Sequence, residues 1–181
     1  QDNSFLKFLR EITEAHKSLL IFDEVISGLR VAFGGMAEKT GIKPDLMTLG
    51  KIIGGGLPVG AILGKRNIME KLAPLGGVYQ AGTLSANPLA MVGGLATLKK
   101  LTPNAYTTLE ENTRNIGDIF RKWFKEYNHG EFKHFKINHV SSLFWICTKE
   151  NIKRAEDIPE TLTKDFAPLF KTLLEKKIYL A

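Results

Sequence analysis

Apolar residues at Phe5, Leu6, Phe8, Leu9 and Ile12, with charges between them, recur at helical spacing and predict an amphipathic helix from Phe5 to Lys17. The pattern then becomes continuous: Ser18 to Val25 reads as a fully buried strand bounded by polar residues. A loop rich in glycine (Gly28, Gly34, Gly35, Gly41) follows, with a helical turn around Met36 to Thr40. Pro44-Asp45 opens a second strand, Leu46 to Leu49. After the run Gly54-Gly55-Gly56 comes a third, Val59 to Leu63. Ile68 to Leu72 is a short helix closed by Pro74 and Gly76-Gly77. Asn87-Pro88 begins a helix to about Leu101, carrying Leu89, Met91, Val92, Leu95 and Leu98.

Short aliphatic strands alternating with helices and glycine loops predict an α/β fold with a mostly parallel sheet. The style changes at Thr102-Pro103, where a domain boundary is expected: residues 1–102 form one part and 103–181 a smaller α+β part. The second part reads as a long amphipathic helix (about Tyr106 to Tyr127), an Asn128-His129-Gly130 turn, a β-like stretch from Phe132 to Thr148 and a helix from about Pro159 to Lys176. No internal repeat or low-complexity tract interrupts it.

Composition narrows the function classes. The 181 residues are 44% hydrophobic and 24% charged, which is globular rather than disordered. No apolar run approaches the roughly 18 residues a spanning helix needs, so no membrane partner is expected. The first residues, Gln1-Asp2-Asn3-Ser4, show no leader pattern and no Met, which suggests an internal piece of a longer protein. The single cysteine, Cys147, sits in an apolar run, reads as a buried small side chain and suits a reducing compartment. The net charge of +6 is scattered through helical patterns, with only short pairs such as Lys99-Lys100, so nucleic acid is not an expected partner. That mild basic excess is equally compatible with drawing in an anionic cofactor and substrate.

Three segments carry candidate chemistry. Asp23 ends the first aliphatic strand, Leu20-Ile21-Phe22-Asp23-Glu24-Val25, and a carboxylate there points into the crevice where open α/β sheets bind ligands. A cationic ring nitrogen in that crevice and the carboxylate would each keep the other charged, and Val25, two residues on, could lie against the ring. Lys51 follows the second strand in Gly50-Lys51-Ile52-Ile53-Gly54-Gly55-Gly56, where glycine lets backbone approach a ligand closely. A lysine held out of bulk water becomes a better nucleophile toward a carbonyl. The segment Tyr79 to Pro88 ends at a helix start suited to a phosphate. Spacing alone leaves open a cap or structural ion pair for Asp23, a solvated surface lysine for Lys51, and plain capping by Ser85 or Asn87.

Other cofactor patterns fail. The glycines do not match a dinucleotide fingerprint, and Gly60 to Lys65 is one residue short of a P-loop, with Arg66 where Ser or Thr is required. His16, His129, His134 and His139 show no close metal-ligand spacing with Cys147, so no metal is expected.

Read as words, Leu20 to Gly28, Pro44 to Ala61 and Asn87 to Ala90 resemble the class III, fold type I pyridoxal-phosphate aminotransferases. Within that class, Val78 to Pro88 and Val31-Ala32-Phe33-Gly34-Gly35 resemble the glutamate-1-semialdehyde aminomutase branch, and Lys177 to Ala181 matches the approach to a C-terminal active-site segment. Leu29 stands where phenylalanine is expected. The resemblance implies part of the large cofactor-binding domain followed by a truncated small domain. It implies an isomerase of tetrapyrrole biosynthesis, converting glutamate-1-semialdehyde to 5-aminolevulinate with pyridoxal or pyridoxamine 5'-phosphate. Lys51 would form the Schiff base and shuttle protons, Asp23 pair with the pyridine nitrogen, Val25 pack on the ring, and Gly82 and Thr83 bind the cofactor phosphate of the neighbouring subunit of a homodimer. It implies a bacterial cytoplasmic or plastid-stroma enzyme, the cytoplasm being preferred. The alternatives are another class III aminotransferase using a separate donor and acceptor, and a non-catalytic relative of the fold. Family chains are more than twice this long, so the 181-residue piece alone is expected to lack a competent site.

Overall fold

The computed structural model describes residues 3–180. It divides into two compact units, Gln1–Thr107 and Thr108–Ala181, with the division inside a long helix.

In the first unit, helix α1 (Ser4–Ala15) turns Leu6 and Leu9 onto Leu20, Phe22 and Ile42, while Phe5 and Phe8 on its other side stay exposed. Strand β1 (Ile21–Glu24) runs parallel to β2 (Leu46–Leu49), pairing Asp23 with Thr48 and Glu24 with Leu49. Strand β3 (Ala61–Gly64) lies on the far side of β2 and runs antiparallel to it, so the sheet order is β1-β2-β3 and the sheet is mixed. Parallel pairing needs a crossover of a dozen or more residues. The link from Gly50 to Gly60 holds only a 3₁₀ turn, Lys51–Gly54, and brings the chain straight back.

Helices α2 (Gly35–Thr40), α3 (Arg66–Met69) and α4 (Pro88–Leu98) complete the unit. The strand expected to be buried throughout is buried on one face only: Phe22 and Glu24 are inside, whereas Ile21 is 54% exposed and Asp23 is exposed. Side chains alternate across a strand, and β1 is the end strand of this sheet, covered on the Phe22 side by α1.

Asp45, just before β2, ties these elements together. Its carboxylate accepts from the Leu20 backbone N–H (2.8 Å) and the Arg10 guanidinium (3.0 Å) and pairs with the Lys65 ammonium. The Lys65 hydrogen bond foremost, then the Leu20 N–H, hold its pKa down at about 2 against the retained cost of burial. A depressed carboxylate pKa contributes stability that is complete above the unfolded pKa, near 4, and is lost as pH falls toward 2. The contribution is about 2 kcal/mol. Asp45→Asn is therefore expected to lower urea stability at pH 7 by about that much, with the two proteins converging between pH 4 and 2. A gap that stays constant down to pH 2.5 would assign the effect to shape rather than charge.

The second unit continues α5 (Pro103–Glu126) into the β4–β5 hairpin (Lys136–Val140 and Leu143–Cys147) and α6 (Leu162–Glu175). Its core is Phe124, Phe132, Phe135, Ile137, Ile146, Leu169 and Leu173, with rings of Phe120, Trp123 and Tyr127 packed around it. The β-like stretch expected from Phe132 begins only at Lys136. Residues 131–134 form a turn that delivers Phe132 and Phe135 to the core. Cys147 is fully buried at the end of β5.

Candidate active site

Asp23 and Lys51 leave the same edge of the sheet, the carboxyl ends of the parallel pair β1 and β2. The Asp23–Thr48 register places the two strand ends side by side. Asp23 Oδ1 accepts from the Val25 backbone N–H (3.1 Å) and from Thr48 Oγ1 (3.2 Å). Both bonds fall on one oxygen, so the carboxylate is oriented while Oδ2 takes no hydrogen bond from the described residues. Val25 bridges toward the lysine: a Cβ built on Gly50 would stand 3.0 Å from Val25 Cγ1. Gly50 itself is buried, and the extended backbone at Gly50 gives way to the 3₁₀ turn at the next residue.

Lys51 takes a left-handed backbone conformation, φ +47°. Non-glycine residues seldom adopt it, and it persists where surrounding structure overdetermines it, often at functional sites. Its side chain is exposed and forms no ion pair or hydrogen bond among the described residues. Lys51 thus offers an unpaired side chain just past the end of β2, and Asp23 an oriented carboxylate near the end of the neighbouring β1. An aldehyde-bearing ring with a basic nitrogen fits this donor set, since the amine can bond the aldehyde carbon while Oδ2 is available to a ring N–H.

Gly82 and Thr83 lie elsewhere, on an exposed turn that leads into α4. Asn87 is the cap of that helix: its Oδ1 accepts from the Leu89 and Ala90 backbone N–H groups, with Pro88 at the first helical position. Of the two capping candidates, Asn87 is used and Ser85 is not, leaving the turn of Gly82 to Ser85 exposed ahead of the helix. The structure gives Gly82 and Thr83 no contact with Asp23 or Lys51.

Three contributions were not anticipated from the sequence. Thr48 steadies Asp23, and strict alternation would have placed it on Asp23's face of the neighbouring strand. Glu24, only 1% exposed, accepts from Ser27 Oγ and the Ala37 N–H at the start of α2, fastening the loop after β1 to the sheet. Gly35, at φ +64°, leaves room for that carboxylate, since a Cβ there would stand 2.6 Å from Glu24 Oε2. Thirdly, Gly93 and Gly94 lie under the lysine turn; two adjacent glycines inside a helix were the available signal.

Among the described residues no helix is long and apolar enough to cross a membrane, and no group of three His, Cys, Asp or Glu side chains is placed to hold a metal.

A carboxylate on one strand and a lysine just past the end of the next, with helices α1 and α2 against the sheet, match the α/β architecture of the fold type I enzymes. The chain belongs to the class-III aminotransferase family, whose sequence profile, "Aminotransferase class-III", matches residues 1–167. It is 48% identical over 184 residues to a glutamate-1-semialdehyde 2,1-aminomutase of Bdellovibrio bacteriovorus, an alignment covering all of this chain and 42% of that protein. A β-phenylalanine aminotransferase from Variovorax paradoxus superimposes with a TM-score of 0.86 at 32% identity, over 99% of this chain and 41% of that one. A transaminase solved with PLP bound gives a TM-score of 0.81 at 28% identity, over 99% and 41%. The chain thus spans about two fifths of the length of the relatives it matches.

Proposed function

We propose that this chain is the lysine-bearing portion of a pyridoxal-phosphate-dependent 2,1-aminomutase that converts glutamate-1-semialdehyde to 5-aminolevulinate. The observation that carries the reading is the placement of Asp23 and Lys51 at one edge of the β1–β2 pair, linked through Thr48, Val25 and Gly50. The choice of mutase over a two-substrate aminotransferase is supported by the similarity over the whole chain to the Bdellovibrio protein and by the segment Val78 to Pro88.

Pyridoxal or pyridoxamine 5'-phosphate, when bound, supplies an electron-withdrawing ring and an amino group that can be exchanged. Asp23, held by Val25 N–H and Thr48, would face a ring nitrogen with its other oxygen and favour that nitrogen's protonated form. Lys51 would hold the cofactor through Nζ, and the same amine would serve as the base that moves a proton, a role suited to a flexible stem and a single basic atom. Val25, against Gly50, forms an apolar wall beside these groups. Gly82 and Thr83, ahead of the α4 N-terminus, would hold phosphate with backbone N–H and hydroxyl donors. On this reading the phosphate is that of the neighbouring subunit's cofactor, in a site shared across a homodimer. Residues 103–181 are read as the small domain, and the cytoplasm as the compartment.

The deciding experiment incubates the full-length protein with glutamate-1-semialdehyde and cofactor, without amino donor or keto acid. Formation of 5-aminolevulinate at an undiminished rate is expected. A rate that appears only when a donor and an acceptor are supplied would replace this reading with a two-substrate aminotransferase.

A further inference from the structure

We infer that the Gly93-Gly94 pair of α4 is a backbone seat that fixes the Lys51 turn, making Gly94 a positioning residue for the lysine amine. The inference rests on the assignment of Lys51 as the cofactor lysine.

Glycine is the poorest helix former after proline, yet two adjacent glycines occupy the interior of α4. The packing explains them. A Cβ on Gly94 would overlap the Ile53 carbonyl oxygen, and one on Gly93 would stand 3.3 Å from the Gly54 carbonyl oxygen and 3.2 Å from Leu57 Cδ1. The complementary face is also glycine: a Cβ on Gly55, at φ +60°, would overlap the Gly93 carbonyl oxygen and stand 2.6 Å from Thr97 Oγ1. Thr97 in turn donates to the Gly93 carbonyl (3.0 Å). At Gly94 helix and turn therefore meet backbone to backbone, with no side chain there to yield.

The consequence falls on Lys51. The turn Lys51–Gly54 is short, begins with a residue at φ +47° and is anchored on one side by β2. Contact with α4 at Ile53 and Gly54 is its other anchor. Pushing the Ile53 carbonyl away from α4 must be absorbed by the three residues between it and β2's end, Gly50, Lys51 and Ile52, of which Lys51 is the strained one. The amine then shifts relative to Asp23, whose own position is set separately by Thr48 and Val25. The same helix begins at Asn87, directly after the turn bearing Gly82 and Thr83, so one rigid element spans both parts of the candidate site.

The test compares full-length wild type with Gly94→Ala, Gly93→Ala and Ala96→Gly, the last loosening the helix at an exposed position away from the turn. Two readouts are taken: the pH midpoint of the borohydride-sensitive visible absorption, and kcat separately from KM. Gly94→Ala is expected to move the midpoint by about half a pH unit or more and lower kcat about tenfold or more, with KM within about twofold. Gly93→Ala should do the same to a smaller extent, and Ala96→Gly should leave both readouts at wild-type values. If Gly94→Ala does not fold, the midpoint of Gly93→Ala decides. A wild-type midpoint and kcat in the glycine variants, with only a lower Tm, would overturn the inference, as would equal shifts in Ala96→Gly. Wild type lacking any borohydride-sensitive absorption would instead remove the assignment of Lys51 itself, and the inference with it.

Discussion

Lys51→Ala in the full-length protein is expected to lower turnover by roughly 10⁴-fold, because on the proposed function it removes both the group that would hold the cofactor and the base that would move the proton. Stability should stay within about 0.5 kcal/mol, since the side chain is exposed and has no hydrogen-bond or ion-pair partner among the described residues. Alanine inherits the same left-handed backbone, so the strain is not relieved and the turn keeps its shape. Borohydride treatment followed by peptide mapping provides the check: the wild type should carry reduced cofactor on the peptide containing Lys51, and the variant none. Retention of label on another lysine, with activity, would show that Lys51 is a surface residue of the turn.

Asp23→Asn is expected to cost roughly 10³-fold in turnover. The substitution is chosen for what it preserves. The Asn side-chain oxygen can still accept from Val25 N–H and Thr48 Oγ1, so the end of β1 keeps its local hydrogen bonds and the fold should be unaffected. What disappears is the negative charge that favours a protonated ring nitrogen. The loss should therefore appear in kcat and in the cofactor's absorption, with little change in Tm. Thr48→Val, which frees the carboxylate but leaves its charge, should cost far less, about tenfold. Equal losses in the two variants would mean that orientation, rather than charge, is what Asp23 contributes.

Much of this was legible in the chain itself. The helical stripe of α1, the aliphatic runs of β1 and β2 and the Asn87-Pro88 start of α4 are local signals, set by side-chain periodicity and by residues that cap or open a helix. Asp23 and Lys51 stood out as candidates because each sits at the end of an aliphatic run, and a strand end is where a parallel sheet presents chemistry. Two features misled. The uninterrupted apolar character from Leu19 to Phe22 hid the one-sided burial of β1, because periodicity cannot tell which face of an end strand another element will cover. The strand Ala61–Gly64 looked like its predecessors, but its direction depends on the link before it, and that link returns without a crossover helix.

The sequence by itself determined the elements and singled out the two candidate groups, since these follow from short-range spacing and residue chemistry. Only the tertiary structure decided how those groups are held. The Thr48 hydroxyl on Asp23, Glu24 buried against α2, and the glycine faces of α4 and the lysine turn join residues about 13 to 41 positions apart. Such contacts depend on which surfaces meet once the chain has closed on itself, and no local preference encodes them.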